Sequence, residues 1–404
     1  MKEWKNYTAQ EFCLNVTDGT HDSPKPTELG HYLITSKHLQ NNAIDFTSAY
    51  KISEEDYQKV IKRSAVVQHD ILFSMIGTIG NTVRVKDPIV DYAVKNMAIF
   101  KMGGNELKSK WLYYWLKSSK SKEYISSRLA GSTQSYLTLD TLRNFPISAP
   151  SESEMQTIVS ILSSLDNKIE LNRQINDNLE QQAQALYKSW FVDFEPFKNG
   201  DFVESELGLI PIGWKVTELS AVTKQITGKV KDRTDVKVLS PVNSGELVLS
   251  EEYFTKQVFS ESISKYIVVK PLHFAYNPAR VNIGSIGMNT FAFDGCVSPV
   301  YVVFECESNY HHFFDYYRKT DSFKDEVLKR AIGGVRQTLS YKDFSLIKLV
   351  YPPLDVVKEF NAIYERLLDN INRTKSEDSK LSNLRDTLLP KLMSGELKIN
   401  EIDC

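Results

Sequence analysis

Residues 151–194 read SESEMQTIVSILSSLDNKIELNRQINDNLEQQAQALYKSWFVDF and limit the possible folds more than any other feature. Apolar residues recur in alternating steps of three and four at Met155, Ile158, Leu162, Leu165 and Ile169, then at Leu179, Ala183, Leu186 and Trp190. That is an a/d heptad seam, sustained long enough to predict a coiled coil. A helix rising 1.5 Å per residue carries it over roughly 55–60 Å, more than the interior of one compact domain spans. Asn172 and Asn176 break the seam in its middle.

The stretch recurs. A shift of 202 residues puts the seam on Val357, Phe360, Tyr364, Leu367, Ile371, Leu381, Arg385, Leu388 and Leu392, with Thr374 and Asp378 at the polar break. Pro150 and Pro352 precede the two runs alike, ending a strand-like segment and admitting a helix. A repeat of this kind fixes architecture before any other signal: each half of the chain ends in a long helix, and the two helices can pair with each other. Antiparallel pairing in the register whose numbers sum to 550 sets Asn172 opposite Asp378, Asn176 opposite Thr374, Ile169 opposite Leu381 and Leu179 opposite Ile371. Leu162, Leu165, Leu186, Tyr364, Leu367 and Leu388 complete the pairing face, and Leu165 against Arg385 is its poorest match. Buried polar pairs cost stability and fix register. The alternative is two unrelated amphipathic helices on separate cores.

The chain's 404 residues suit two to three domains. No run of eighteen apolar residues predicts a membrane span, and the opening MKEWKNYTAQEF lacks the apolar core of a signal peptide. Cys13, Cys296, Cys306 and Cys404 show no CxxC spacing, so free thiols in a reducing cytoplasm are expected. The net charge of −2 argues against a nucleic-acid partner. Its distribution softens that: residues 1–150 carry 19 Lys and Arg against 15 Asp and Glu, whereas residues 151–200 carry 4 against 8.

In order, residues 1–150 form a first globular region with β-like runs at 31–36, 70–76 and 93–102 and a lysine-aromatic helical patch at 105–129. That patch is a phosphate-contacting surface or an amphipathic helix packing Trp111, Tyr114 and Leu116 inward. Residues 151–195 are the first long helix, and 196–213 a polar linker. Residues 214–351 repeat the first region loosely, and 352–398 are the second long helix. Trp214 echoes Trp4, Gly284-Ser-Ile-Gly287 echoes Gly77-Thr-Ile-Gly80, and Gly334-Val-Arg-Gln337 echoes Gly131-Ser-Thr-Gln134. The framework is kept and the filling differs, as in two binding modules of different specificity.

The pattern resembles the specificity subunit of type I restriction–modification systems. The words that carry the resemblance span nearly the whole chain. They include Asp18-Gly-Thr-His21, Asp70-Ile-Leu-Phe-Ser74 and Leu186-Tyr-Lys-Ser-Trp-Phe191-Val-Asp-Phe-Glu-Pro196. Later come Gly208-Leu-Ile-Pro-Ile-Gly-Trp214, Tyr276-Asn-Pro-Ala-Arg280-Val-Asn-Ile-Gly284, Val297-Ser-Pro299 and Leu389-Pro-Lys-Leu-Met-Ser-Gly395. The resemblance implies an α+β fold with two mixed α/β target recognition domains, separated by two long antiparallel coiled-coil helices in a pseudo-twofold repeat. It implies that each domain reads one half of a split double-stranded DNA site and that the helices set the spacer. Two modification (methyltransferase) subunits and restriction subunits are the implied partners. S-adenosylmethionine, ATP and Mg are then expected on those partners, with no cofactor, metal or catalysis in this chain. Tyr187, Phe191 and Phe194 are candidates for docking the methyltransferase.

The residues agree with a recognition role. There is no P-loop, no G-x-G-x-x-G after a strand, no Asn/Asp-Pro-Pro-aromatic methyltransferase motif, and no metal spacing around His311-His312. Base reading needs donors and forked side chains held by a rigid frame. The candidates in the first half are Thr20, His21, Ser36, Lys37, Ser74, Thr78, Ser132, Thr133 and Gln134, with Gly77 and Gly80 allowing close approach. In the second half they are Lys229, Lys231, Asn277, Arg280, Asn282, Ser298, Arg336 and Gln337, with Gly284 and Gly334. Turn glycines and solvated polar residues explain any one of these equally well; Arg and Gln in repeat-matched loops are the natural readers of G and A. A methyltransferase carrying its own recognition domain and a DNA-free coiled-coil scaffold are the competing classes.

Overall fold

The computed structural model describes residues 4–40, 42–131, 135–254, 256–331 and 338–397. The chain divides into two compact units, Met1–Arg173 with Thr374–Cys404, and Gln174–Arg373. Each takes in a stretch of both long helices.

In the first unit, strands Asn15–Asp18, Met97–Lys101, Ile71–Ser74 and Thr82–Arg84 lie side by side in that order, all antiparallel. The central strands are apolar on both faces because both are covered. Ile71, Phe73, Ala98 and Phe100 face a core built on Trp111 and Leu112, while Leu72, Met97 and Ile99 face a second core with Ile34 and Val83. The second unit repeats the order with Thr223–Ile226, Val302–Cys306, Phe274–Tyr276 and Ile286–Met288. The alternation repeats too: Phe274, Tyr276 and Phe304 point to one core, Ala275 and Val303 to another.

Each unit adds a second sheet, of three strands in the first and four in the second, around one parallel pair, His31–Ile34 with Tyr92–Val94 and Lys237–Pro241 with Gly295–Val297. Each also pairs an early strand with the strand that leads into a long helix, Lys5–Thr8 with Pro146–Ala149 and Lys215–Glu218 with Lys348–Tyr351. The run 93–102, expected as one β element, is broken at Asn96, whose φ of 54° turns the chain out of one sheet and into the next. The lysine-aromatic patch is two helices, Glu106–Lys117 and Ser119–Ser127, with the buried Ser118 hydroxyl capping the second. Trp111 and Tyr113 to Leu116 are buried in the domain.

The linker at 196–213 is more ordered than its polarity predicts. It holds a hairpin, Phe202–Ser205 with Gly208–Pro211. Phe194 and Phe197 set their rings 5.3 and 5.2 Å from that of Trp214.

The long helices run Glu152–Phe191 and Leu354–Ser394. In the first unit Met155, Ile158 and Leu162 share a core with Leu389, Leu392 and Met393, so the start of one helix lies on the end of the other. The wholly buried Asn172 Nδ2 donates to Asp378 Oδ1 at 2.7 Å and to Glu377 Oε2 at 2.8 Å. Arg385 reaches past Leu165 to Asp166 Oδ1 at 2.9 Å, and the Tyr114 hydroxyl, from the globular part, donates to the other oxygen at 2.8 Å. A cation in an apolar seam is thus held by the carboxylate one residue along. In the second unit Ala183, Tyr187 and Phe191 share a core with Val357, Phe360 and Tyr364. Leu165, Ile169, Leu179, Leu186, Leu367, Leu381 and Leu388 are half-buried, and Asn176, Ile371 and Thr374 are buried.

The expectation that Tyr187 and Phe191 form an exposed docking surface is overturned. They are 5% and 7% exposed, because the helix His311–Tyr317 covers them with Phe313 and Tyr316. Helical periodicity alone does not show a partner that arrives from elsewhere in the chain.

Candidate nucleic-acid interface

In both units the loop that leaves the central strand is built alike. The Ser74 N–H donates to Asn81 O at 2.9 Å and the Asn277 N–H to Ser285 O at 3.0 Å, closing loops 75–80 and 278–284. Gly80 and Gly284 end these loops with φ of 95° and 92°, a conformation that disfavours a Cβ. Strand register therefore matches Gly284 with Gly80, not with Gly77; Gly287 falls inside strand Ile286–Met288. The word echo read from sequence is displaced by one turn of the loop.

A second segment returns onto each loop. The Leu137 N–H donates to Met75 O and the Leu339 N–H to Pro278 O, both at 3.0 Å. The stretches that follow the two glutamine-bearing words thus run beside the two loops. Ser132, Thr133, Gln134, Gly334, Arg336 and Gln337 themselves lie outside the described residues.

In the first unit, hydrogen bonds gather further candidates along the same strand ends. The Thr20 N–H donates to Val94 O, the Lys95 N–H to Ile34 O at 2.8 Å, and Asn81 Nδ2 to Leu39 O at 2.9 Å. Thr20 is thereby tied to the strand end at Val94, and the residue after the turn Ser36–His38 to Asn81, the residue after loop 75–80. Gly77, Thr78 and Lys37 are exposed there. His21 is exposed, with its ring nitrogens 2.8 Å from Asp18 and 2.9 Å from Asn96. Thr20 is buried and accepts the Asp22 N–H at 3.1 Å; Ser74 is wholly buried and its hydroxyl donates to Ile76 O. These two shape turns. The side chain of Lys95, absent from the sequence candidates, reaches Ser23 on this edge; only its pairing with Ile34 O reveals it.

In the second unit Asn277, Arg280 and Ser298 line one cavity of about 400 Å³. Arg280 is exposed, and Asn277 Oδ1 accepts the Ala279 N–H at 3.0 Å, bracing the loop. Asn282 and Gly284 line a different, larger hollow with Arg318 and Lys319. Lys229 and Lys231 are exposed, Lys231 with its N–H on Ser264 O, and line neither. Sequence reading missed the cavity's aromatic walls, whose signal is Tyr253-Phe254 standing in an otherwise polar stretch.

Among the described residues no group of three His, Cys, Asp or Glu is arranged to hold a metal ion, and no helix is long and apolar enough to cross a membrane. Burial pushes the Cys13 thiol up to about 12 and the Cys296 thiol up to about 11, away from reactive thiolate.

The family described as type I restriction modification DNA specificity domain matches residues 1–181. The chain thus carries, over that segment, a likeness to this family. It is 28% identical to the type I restriction enzyme MjaIX specificity subunit of Methanocaldococcus jannaschii, over 82% of this chain and 78% of that one. It is 22% identical to the HindI specificity subunit of Haemophilus influenzae, over 98% of this chain and 100% of that one. The fold is that of the type I restriction–modification S subunit crystal structure from M. genitalium, with a TM-score of 0.56 at 16% identity over 96% of each chain.

Proposed function

We propose that each recognition unit of this chain reads one half of a split duplex target. The long helices set the unread spacer and dock two modification subunits, and restriction subunits join them. Methyl transfer, with S-adenosylmethionine, and cleavage, with ATP and Mg, belong to those partners; this chain supplies the address and no catalysis. The observation that carries this reading is the doubling. The same four-strand order and the same loop closure occur twice, with different residues on the loops, Gly77 and Thr78 in one and Arg280 in the other. One frame with two different edges suits two base sequences. Arg280, exposed on its loop, is the natural forked donor to a guanine edge.

The test is long-read mapping of methylated bases in host DNA with and without this chain, its methyltransferase present throughout. A split motif that vanishes on deletion is expected. Arg280→Ala should relax or lose one half only; equal loss at both halves, or methylation indifferent to the chain, refutes the reading.

A further inference from the structure

We infer that the cavity beside Arg280 is a binding pocket for a single nucleobase. It exists because the second half departs from the first. Between strands Lys51–Ile52 and Ile71–Ser74 the first unit carries the eleven-residue helix Glu54–Ser64. After Leu247–Leu249 the second unit has one helical turn, Ser250–Tyr253, and over 256–266 no helix or strand precedes Ile267–Val269. The run braces itself through the Ser260 N–H on Tyr266 Oη at 3.1 Å, and is anchored by the Val230 and Lys231 N–H groups on Tyr266 O and Ser264 O and by Phe259 and Ile263 packing on the core of Val230, Val236 and Val268.

Tyr253 of the turn and Phe259 of the run line the cavity together with Tyr301, while Asn277, Arg280 and Ser298 supply the polar groups. The rim is apolar and open: Tyr253 is 53% exposed, Val258 56% and Ile283 59%. Apolar and aromatic side chains left this exposed around a concavity mark a contact surface. A base edge within a duplex lies on the floor of a groove, flanked by the backbones, and does not enter a hollow walled by rings. A planar heteroaromatic ring does: its faces stack on tyrosine and phenylalanine, and its edge meets an amide, a hydroxyl and a guanidinium. The base comes either from a bound duplex, by extrusion, or from a free nucleoside. The duplex source rests on the reading of the half-site proposed above; the pocket does not.

The full chain with its modification subunits is titrated, at one fixed salt concentration, with duplexes of the mapped target. Each carries an abasic site opposite one base of the second half in turn, which removes the pairing that extrusion must break. Tightening on the order of tenfold at one position is expected, lost in Tyr253→Ala and in Tyr301→Ala. In parallel the full chain is titrated with the four deoxynucleosides. Saturable binding lost in the same variants, without duplex tightening, assigns the pocket to a free nucleoside. No tightening and no deoxynucleoside binding overturns the inference, as does either effect persisting in both variants. Because Tyr253 is more than half exposed, its removal leaves the core intact and keeps the test decisive. If methylation mapping finds no split target, the half-site reading fails and the deoxynucleoside arm still tests the pocket.

Discussion

Asp315 and Arg318 form a buried ion pair that ties a helix to the strand that follows loop 278–284. They are 8% and 9% exposed. Arg318 Nε and Nη2 donate to Asp315 Oδ1 at 3.0 and 2.5 Å, Lys319 Nζ lies 3.0 Å from the other oxygen, and Arg318 Nη1 donates to Ile286 O at 2.9 Å. Burial alone raises the Asp315 carboxyl; the charges of Arg318 and Lys319 overcome that and hold it below the usual carboxylate range. Asp315→Ala leaves a guanidinium buried without its counter-ion, which costs about 3–5 kcal/mol. Asp315→Leu with Arg318→Met removes both buried charges, releases the 42%-exposed Lys319 ammonium to water and leaves Ile286 O without a donor, about 1–3 kcal/mol. The double variant should therefore be more stable than Asp315→Ala alone. Urea unfolding followed by tryptophan fluorescence measures both. A cost below about 1 kcal/mol for Asp315→Ala, or a double variant as unstable as the two single losses added, refutes the argument. Ile286 is the residue where loop 278–284 rejoins the sheet, so Asp315→Ala should also weaken methylation specificity at one half-site before the other.

Three further outcomes are expected. Burial, with His311 beside it, pushes the buried His312 down to about 4. An unfolded histidine takes up its proton near 6.5, so the unfolded state binds more protons between those values and stability falls as pH drops through that window. The loss reaches about 3 kcal/mol, and His312→Phe should remove it, as difference unfolding curves from pH 7 to 4 will show; an unchanged slope counts against the burial. Gly284→Ala should cost more than about 1 kcal/mol, since φ is 92° and a Cβ lies 2.7 Å from Asn243 O, whereas Gly228→Ala, with open space around it, should be near neutral by the same unfolding assay. Seven residues added to each long helix lengthen them by about 10 Å, about three base-pair rises; mapped methylation should show a spacer longer by that amount, and an unchanged spacer sinks the idea of a ruler.

Legibility in the sequence followed how local the cause was. The long helices are written in heptads, and the polar break at Asn172 sits where its amide meets Asp378. The paired halves were visible as words because turns and strand ends need particular residues. What tertiary contact decides was not visible. Phe191 reads as an exposed aromatic until Phe313 and Phe360 are known to cover it. Ser74 reads as a donor until its loop is seen to close over it. Gly287 reads as a loop glycine until its strand is seen against Glu246 and Leu247, where a Cβ has no room. The aromatic cavity was hidden for another reason: it lies where the repeat fails, and a search for echoes passes over what the second half alone contains.

The two units differ in how their chain is sourced, and synthesis makes that a matter of timing. The second unit is one continuous segment, Gln174–Arg373. The first shares its core with Leu389, Leu392 and Met393, and Trp4 lies against Gly395. A ribosome that has finished the first half has therefore made a globule with an open seat at Met155, Ile158 and Leu162. That seat waits through some two hundred further residues for its last helix. The later-made unit should become protease-resistant on the nascent chain first, and the earlier one only after release. Pulse proteolysis of stalled chains reads the order directly, and resistance of residues 4–173 before residue 374 has emerged would show the seat to be dispensable.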